Sequence, residues 1–102
     1  MKFMTFVMFD LAKAAEVAKA GDQVANTPGT KMLAQYACQG VPFPPSIPPN
    51  QMVVVAISET ETNEAMSAVN YPLGLAGATV WNVPVLEMPV GGAAETEKKY
   101  RS

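Results

Sequence analysis

Two short stretches decide most of what this chain can become. Residues 2–9 (KFMTFVMF) and 51–58 (QMVVVAIS) are apolar at nearly every position. In extended chain, successive side chains point to opposite sides. Phe3, Thr5, Val7 and Phe9 then face one way, and Met4, Phe6 and Met8 the other. Likewise Val53, Val55 and Ile57 oppose Met52, Val54 and Ala56. A strand with one wet face alternates apolar and polar residues, so both of these strands are expected to be covered on both sides.

The rest of the chain supplies elements around this pair. Asp10 suits a helix N-cap, and Leu11, Ala14, Ala15, Ala18, Val24 and Ala25 recur at helical spacing, with Lys13, Glu16 and Lys19 on the opposite face. The apolar stripe is mostly alanine, which lets the helix lie close to a sheet. NTPGT at 26–30 reads as a turn. Residues 31–38 alternate more weakly and read as a second strand. Residues 40–50 hold five prolines in eleven positions and suit neither helix nor inner strand, so they read as a stiff loop. After 51–58, Ser58 or Thr62 can cap a short helix carrying Ala65, Met66, Ala68 and Val69, which Pro72 is expected to stop or kink. Residues 73–78 form a small-residue connection. Residues 79–88 (TVWNVPVLEM) read as a fourth strand, at an edge or bulged because Pro84 lacks an amide donor.

The order strand, helix, strand, strand, helix, strand is the split βαβ arrangement, a ferredoxin-like βαββαβ fold of the α+β class. It implies a four-stranded antiparallel sheet with two helices on one face. Its first and third strands are central, which matches the two most hydrophobic stretches. Two helices cover only one face, so a second copy packed sheet against sheet is the economical cover for the other. The expected domain is 1–90, followed by a polar, mobile tail at 91–102 (GGAAETEKKYRS).

Composition excludes several classes of function. Hydrophobic residues make up 49% and charged residues 16%, below the usual ~25% charged. That shortage also argues for surface buried in a partner. The net charge is −2 with no basic stripe, so nucleic acid is not an expected partner. There is no run near the ~20 apolar residues of a membrane span, and the opening residues do not form a signal peptide, so a cytoplasmic protein is expected. One cysteine, Cys38, rules out an internal disulfide and a cysteine zinc cage. The complete absence of histidine removes the commonest general base and metal ligand, so no cofactor and no metal are expected.

MKFMTFVMFD at the start, MVVVAISETETNEAMSAVNYPL in the middle and TVWNVPVLEMPV near the end together resemble the dimeric α+β barrel superfamily. Within it, the chain is similar to muconolactone isomerase-like proteins and small relatives. The resemblance implies a dimeric α+β barrel and leaves open an isomerase-type enzyme acting on a small cyclic compound. Two features depart from it: enzymes of this superfamily often use a pocket histidine, and the proline-rich loop at 40–50 is not a general feature. No catalytic residue is carried over.

Candidate ligand-binding residues are Tyr36, Phe43, Trp81 and Glu87. The aromatics, with several of the seven methionines, can wall a pocket for a flat apolar molecule, or equally form core and dimer interface. Glu87, two residues on from Val85 and six from Trp81, can orient a polar group if its face lines a cavity. The expected partner is the chain itself, as a homodimer or an oligomer of dimers, with a small apolar ligand held between sheet and helices. A structural or interaction module using the loop 40–50 is the remaining alternative.

Overall fold

The computed structural model describes residues 1–38 and 50–101. Strand β1 is Lys2–Asp10, followed by a 3-10 turn, Leu11–Lys13, and helix α1, Ala14–Val24. Strands β2 (Thr30–Ala37) and β3 (Gln51–Thr60) come next, then helix α2 (Asn63–Leu75), strand β4 (Thr79–Pro84) and helix α3 (Ala93–Arg101). The sheet runs β2-β3-β1-β4 with all neighbours antiparallel. The protein is therefore α+β with the ferredoxin-like strand order, and the two apolar stretches are its central strands.

Register fixes which side chain lies on which face. Val7 sits opposite Val54 and Val80, and Phe6 opposite Val55 and Trp81. On β2, Gln35 faces Ala56 and Tyr36 faces Val55. An irregularity between Met32 and Ala34 explains the weak alternation of that strand, because a bulge displaces one residue from the period of two. The odd-numbered side chains of β1 lie under the helices. Val7 and Phe9 join Val17, Ala20 and Val24 of α1 and Val69 and Leu73 of α2 in one buried cluster.

Asp10 caps the 3-10 turn that leads into α1, which itself follows Lys13 without a side-chain cap, and Thr62, one of the two candidates, caps α2. The Asp10 carboxylate accepts from the Ala12 amide at 3.0 Å, and the Thr62 hydroxyl accepts from the Ala65 amide at 3.1 Å. On α1, Val17, Ala20 and Val24 fall at the spacing of one helical face and are the residues buried. The Thr27 hydroxyl donates to the Val24 carbonyl at 2.7 Å and closes the C-terminal end. The turn that follows uses Gly29 at φ +81.

Three local expectations are corrected. Pro72 does not end α2, which continues to Leu75. A proline removes only its own amide, and its carbonyl still accepts from Ala76 at 3.1 Å, so the last turn closes. Strand β4 stops at Pro84 rather than at residue 88, with one further bond from the Val85 amide to the Lys2 carbonyl at 3.0 Å. The terminal segment, read as a polar tail, carries helix α3. Alanine, glutamate and lysine are strong helix formers, and Lys98–Glu95 (3.5 Å) and Arg101–Glu97 (2.8 Å) pair along its surface. It buries no residue.

Candidate functional site

The two faces of the sheet have different character. On the helix side, a cleft of about 310 Å³ lies between α1 and the β2–β3 half of the sheet. Thr5, Val7 and Phe9 of β1 and Val54, Ala56 and Ser58 of β3 supply its floor. Val17, Gly21 and Val24 supply its roof, and Val69 and Leu73 of α2 close one side. The space has a cause in the sequence of α1. Ala14, Ala18, Gly21 and Ala25 also line the cleft, and a Cβ placed on Gly21 would meet no atom within 4 Å. Small side chains thus leave room where larger ones would reach the sheet.

Polar groups in the cleft are few. Thr5, Gln35 and Ser58 are the only polar side chains among the described lining residues, and none of those residues is ionisable. The Thr5 hydroxyl donates to Oδ1 of Asn82 at 2.6 Å. Ser58 is 4% exposed.

The opposite face carries Met4, Phe6 and Met8 of β1, Val53, Val55 and Ile57 of β3, and Trp81 and Val83 of β4. Trp81, Phe6, Val55 and Tyr36 form a single row across all four strands. The rings of Phe6 and Trp81 stack with centroids 5.3 Å apart and planes inclined by 11°. Val53 is buried at 3%, whereas Phe6, Val55, Ile57 and Trp81 are half-buried and Tyr36 is 63% exposed. At one end of this face Lys31, Glu59 and Lys2 stand in register, and Lys2 Nζ lies 3.3 Å from Glu87 Oε1.

The candidate residues read from the sequence divide accordingly. Tyr36 and Trp81 share the row on the face away from α1 and α2, so they do not line the space between sheet and helices. Glu87 lies beyond the end of β4, with its side chain 80% exposed and paired to Lys2. It is a solvated carboxylate and not part of the cleft. Phe43 and the prolines of the 40–50 loop lie outside the described residues. Cys38 is free and half-buried, its amide bonded to the Val53 carbonyl at 2.9 Å. Sequence reasoning missed the residues that line the cleft, above all Ser58 and Gly21. Among the described residues no three metal-binding side chains come together, and no helix is long and apolar enough to cross a membrane.

No protein-family model matches the chain, and no curated protein matches it significantly. Solved structures do match. The uncharacterized protein TM1266 of Thermotoga maritima superposes with a TM-score of 0.61 at 14% identity, covering 83% of this chain and 96% of that one. A DUF3240 family protein of Shewanella baltica OS155 superposes with a TM-score of 0.50 at 7% identity, covering 87% of this chain and 94% of that one. Neither is named as an isomerase, and identities this low speak to architecture alone. What this chain shares with them is a small α+β fold built on a four-stranded antiparallel sheet.

Proposed function

We propose that the protein binds a small, largely apolar molecule in the cleft between α1 and the sheet, and that it acts as a homodimer joined through the opposite sheet face. The observation that carries the first part is the cleft's lining. Its volume of about 310 Å³ reaches the lower end of ligand-binding pockets, and its walls are apolar with a few hydroxyl and amide groups. Binding is favoured over isomerase-type catalysis because proton transfer needs a titratable group within hydrogen-bond reach of the substrate. The described lining residues offer none.

Amide chemical shifts of the whole protein titrated with naphthalene test this reading. Shifts at Val17, Val24, Val54 and Ala56 are expected, and they should vanish in Gly21→Phe, whose ring would occupy the cleft. Absence of shifts up to the solubility limit of naphthalene, or shifts confined to the Trp81 face, would overturn it.

The dimer is supported by an estimate of area. Four strands about 4.8 Å apart and about eight residues long give a face of roughly 19 by 27 Å, or about 500 Å² per copy. Two such faces total at most about 1,000 Å², since Val53 is already buried there, which is the threshold for a specific interface. An apolar, aromatic centre with charges of both signs at one end has the make-up of an interface core and rim. Light scattering that finds a monomer at micromolar concentration would refute the pairing.

A further inference from the structure

We infer that the cleft is a trough for an unbranched alkyl chain of about twelve carbons, whose polar end stays in water. The inference rests on the cleft binding proposed above and adds the shape and class of the ligand. Length comes first. Ala14, Ala18, Gly21 and Ala25 line the cleft, and their spacing of four, three and four residues sets them along one side of α1 and its C-cap. The eleven steps from 14 to 25 cover about 16 Å at about 1.5 Å per residue. The floor is as long. Met52, Val54, Ala56 and Ser58 are successive helix-side positions of β3, and their six steps of about 3.3 Å cover about 20 Å. On β1, Phe9, Val7 and Thr5 stand opposite Met52, Val54 and Ala56, so two rows of side chains run together beneath the helix.

Width follows from volume. About 310 Å³ spread over about 16 Å leaves a section about 4–5 Å across, which is one carbon chain at contact distance. A rounded cavity of about 150 Å³, enough for one benzene, is already about 6–7 Å across. The cleft is therefore long and narrow, and a chain fills it where a compact ring system does not. With carbon–carbon bonds of about 1.5 Å, a zigzag chain advances about 1.25 Å per atom, so about 16 Å holds about twelve carbons.

The lining also places the end group. Ala18, Ala25 and Gln35 line the cleft yet remain exposed, so the trough opens to solvent along one side and a chain can enter sideways. None of the described lining residues is ionisable, and the sequence from 39 to 49 contains no charged residue. A charged end group drawn into the trough would lose its hydration and find no partner. It stays outside, and the methylenes lie within.

Titration of the whole protein with sodium alkanoates of six to sixteen carbons tests this, each ionised and below its micelle-forming concentration, with amide chemical shifts as the readout. Affinity is expected to rise about threefold to fourfold with each buried methylene and to level off near about twelve carbons. Long chains should shift the amides of Ala14 and Ala25 together. Gly21→Leu puts a side chain where a Cβ would meet nothing within 4 Å, in the middle of the trough. It should move the levelling point to shorter chains and spare hexanoate. Circular dichroism checks that the variant folds; if it does not, the length series on the unaltered protein decides alone. If naphthalene binds and alkanoate affinity stops rising at short chains, the trough is wrong while cleft binding stands. If affinity climbs through sixteen carbons without levelling, or if a folded Gly21→Leu leaves the levelling point in place, the chain lies on another apolar surface and the trough is wrong. If neither naphthalene nor any alkanoate binds, both the trough and the cleft reading fall.

Discussion

Replacing Gly21 by alanine should stabilise this protein, by an amount the structure lets one work out. Gly21 lies inside α1, seven residues from its start and three from its end, and its backbone is not in the left-handed region. Glycine in a helix interior is about 0.8–1.0 kcal/mol less favourable than alanine. Two structural terms can alter that figure. A clash would subtract from it and new packing would add to it. The added Cβ meets nothing within 4 Å, so both are close to zero. The expected gain is therefore the propensity difference alone, about 1 kcal/mol. For a domain of this size that raises the Tm by roughly 4–8 °C. Urea unfolding followed by circular dichroism should show a later midpoint with an unchanged slope. Both proteins must be compared at one concentration, because association would itself stabilise the folded state. A midpoint that falls would mean that the space above Gly21 is already filled. It would remove the cleft along with the prediction.

Gly29→Ala should do the reverse. Gly29 has φ +81, and a Cβ there would lie 3.3 Å from that of Ala65, so a loss of about 1–2 kcal/mol in urea unfolding is expected, and an unchanged midpoint would count against the turn geometry. Tyr36→Lys tests the dimer without burying a charge in the monomer, since Tyr36 is 63% exposed yet stands in the row of Phe6 and Trp81. It should leave the far-ultraviolet circular dichroism intact while the mass by light scattering halves. A dimer that survives this substitution would move the interface elsewhere.

The strand order was legible in the sequence because the central strands carry an unmistakable signal. The two most hydrophobic stretches, 2–9 and 51–58, are the ones paired on both edges, and α1 and α2 cover one face of them. The caps at Asp10 and Thr62 were legible for a local reason: a short acceptor before an apolar helical stripe has few other roles. Helix α3 was not, because its evidence is propensity with few apolar residues. Ala93, Ala94, Glu95 and Lys98 favour a helix, but no apolar stripe marks one, and polarity alone suggests loose chain. The full length of α2 was hidden by Pro72, whose breaking effect is strong in isolation. Here Leu73, buried one residue later against Val69, holds the last turn in place.

Which face of the sheet the candidate residues join was hidden for a reason of parity. Residue type singled out Tyr36 and Trp81 as pocket walls, yet type says nothing about which of two apolar faces a strand residue joins. One shift of register moves every side chain to the other side. Only the pairing of Phe6 with Trp81 and Val55, and of Val7 with Val54 and Val80, separates them. The residues that line the cleft had a subtler signature. On β1 and β3 the helix-side positions contain Thr5 and Ser58, the one hydroxyl on each apolar run that the helices cover. Alanine and glycine at 14, 18, 21 and 25 stand above them along one line of α1. The small residues that looked like a device for tight packing are thus the ones that line the cleft on its helix side.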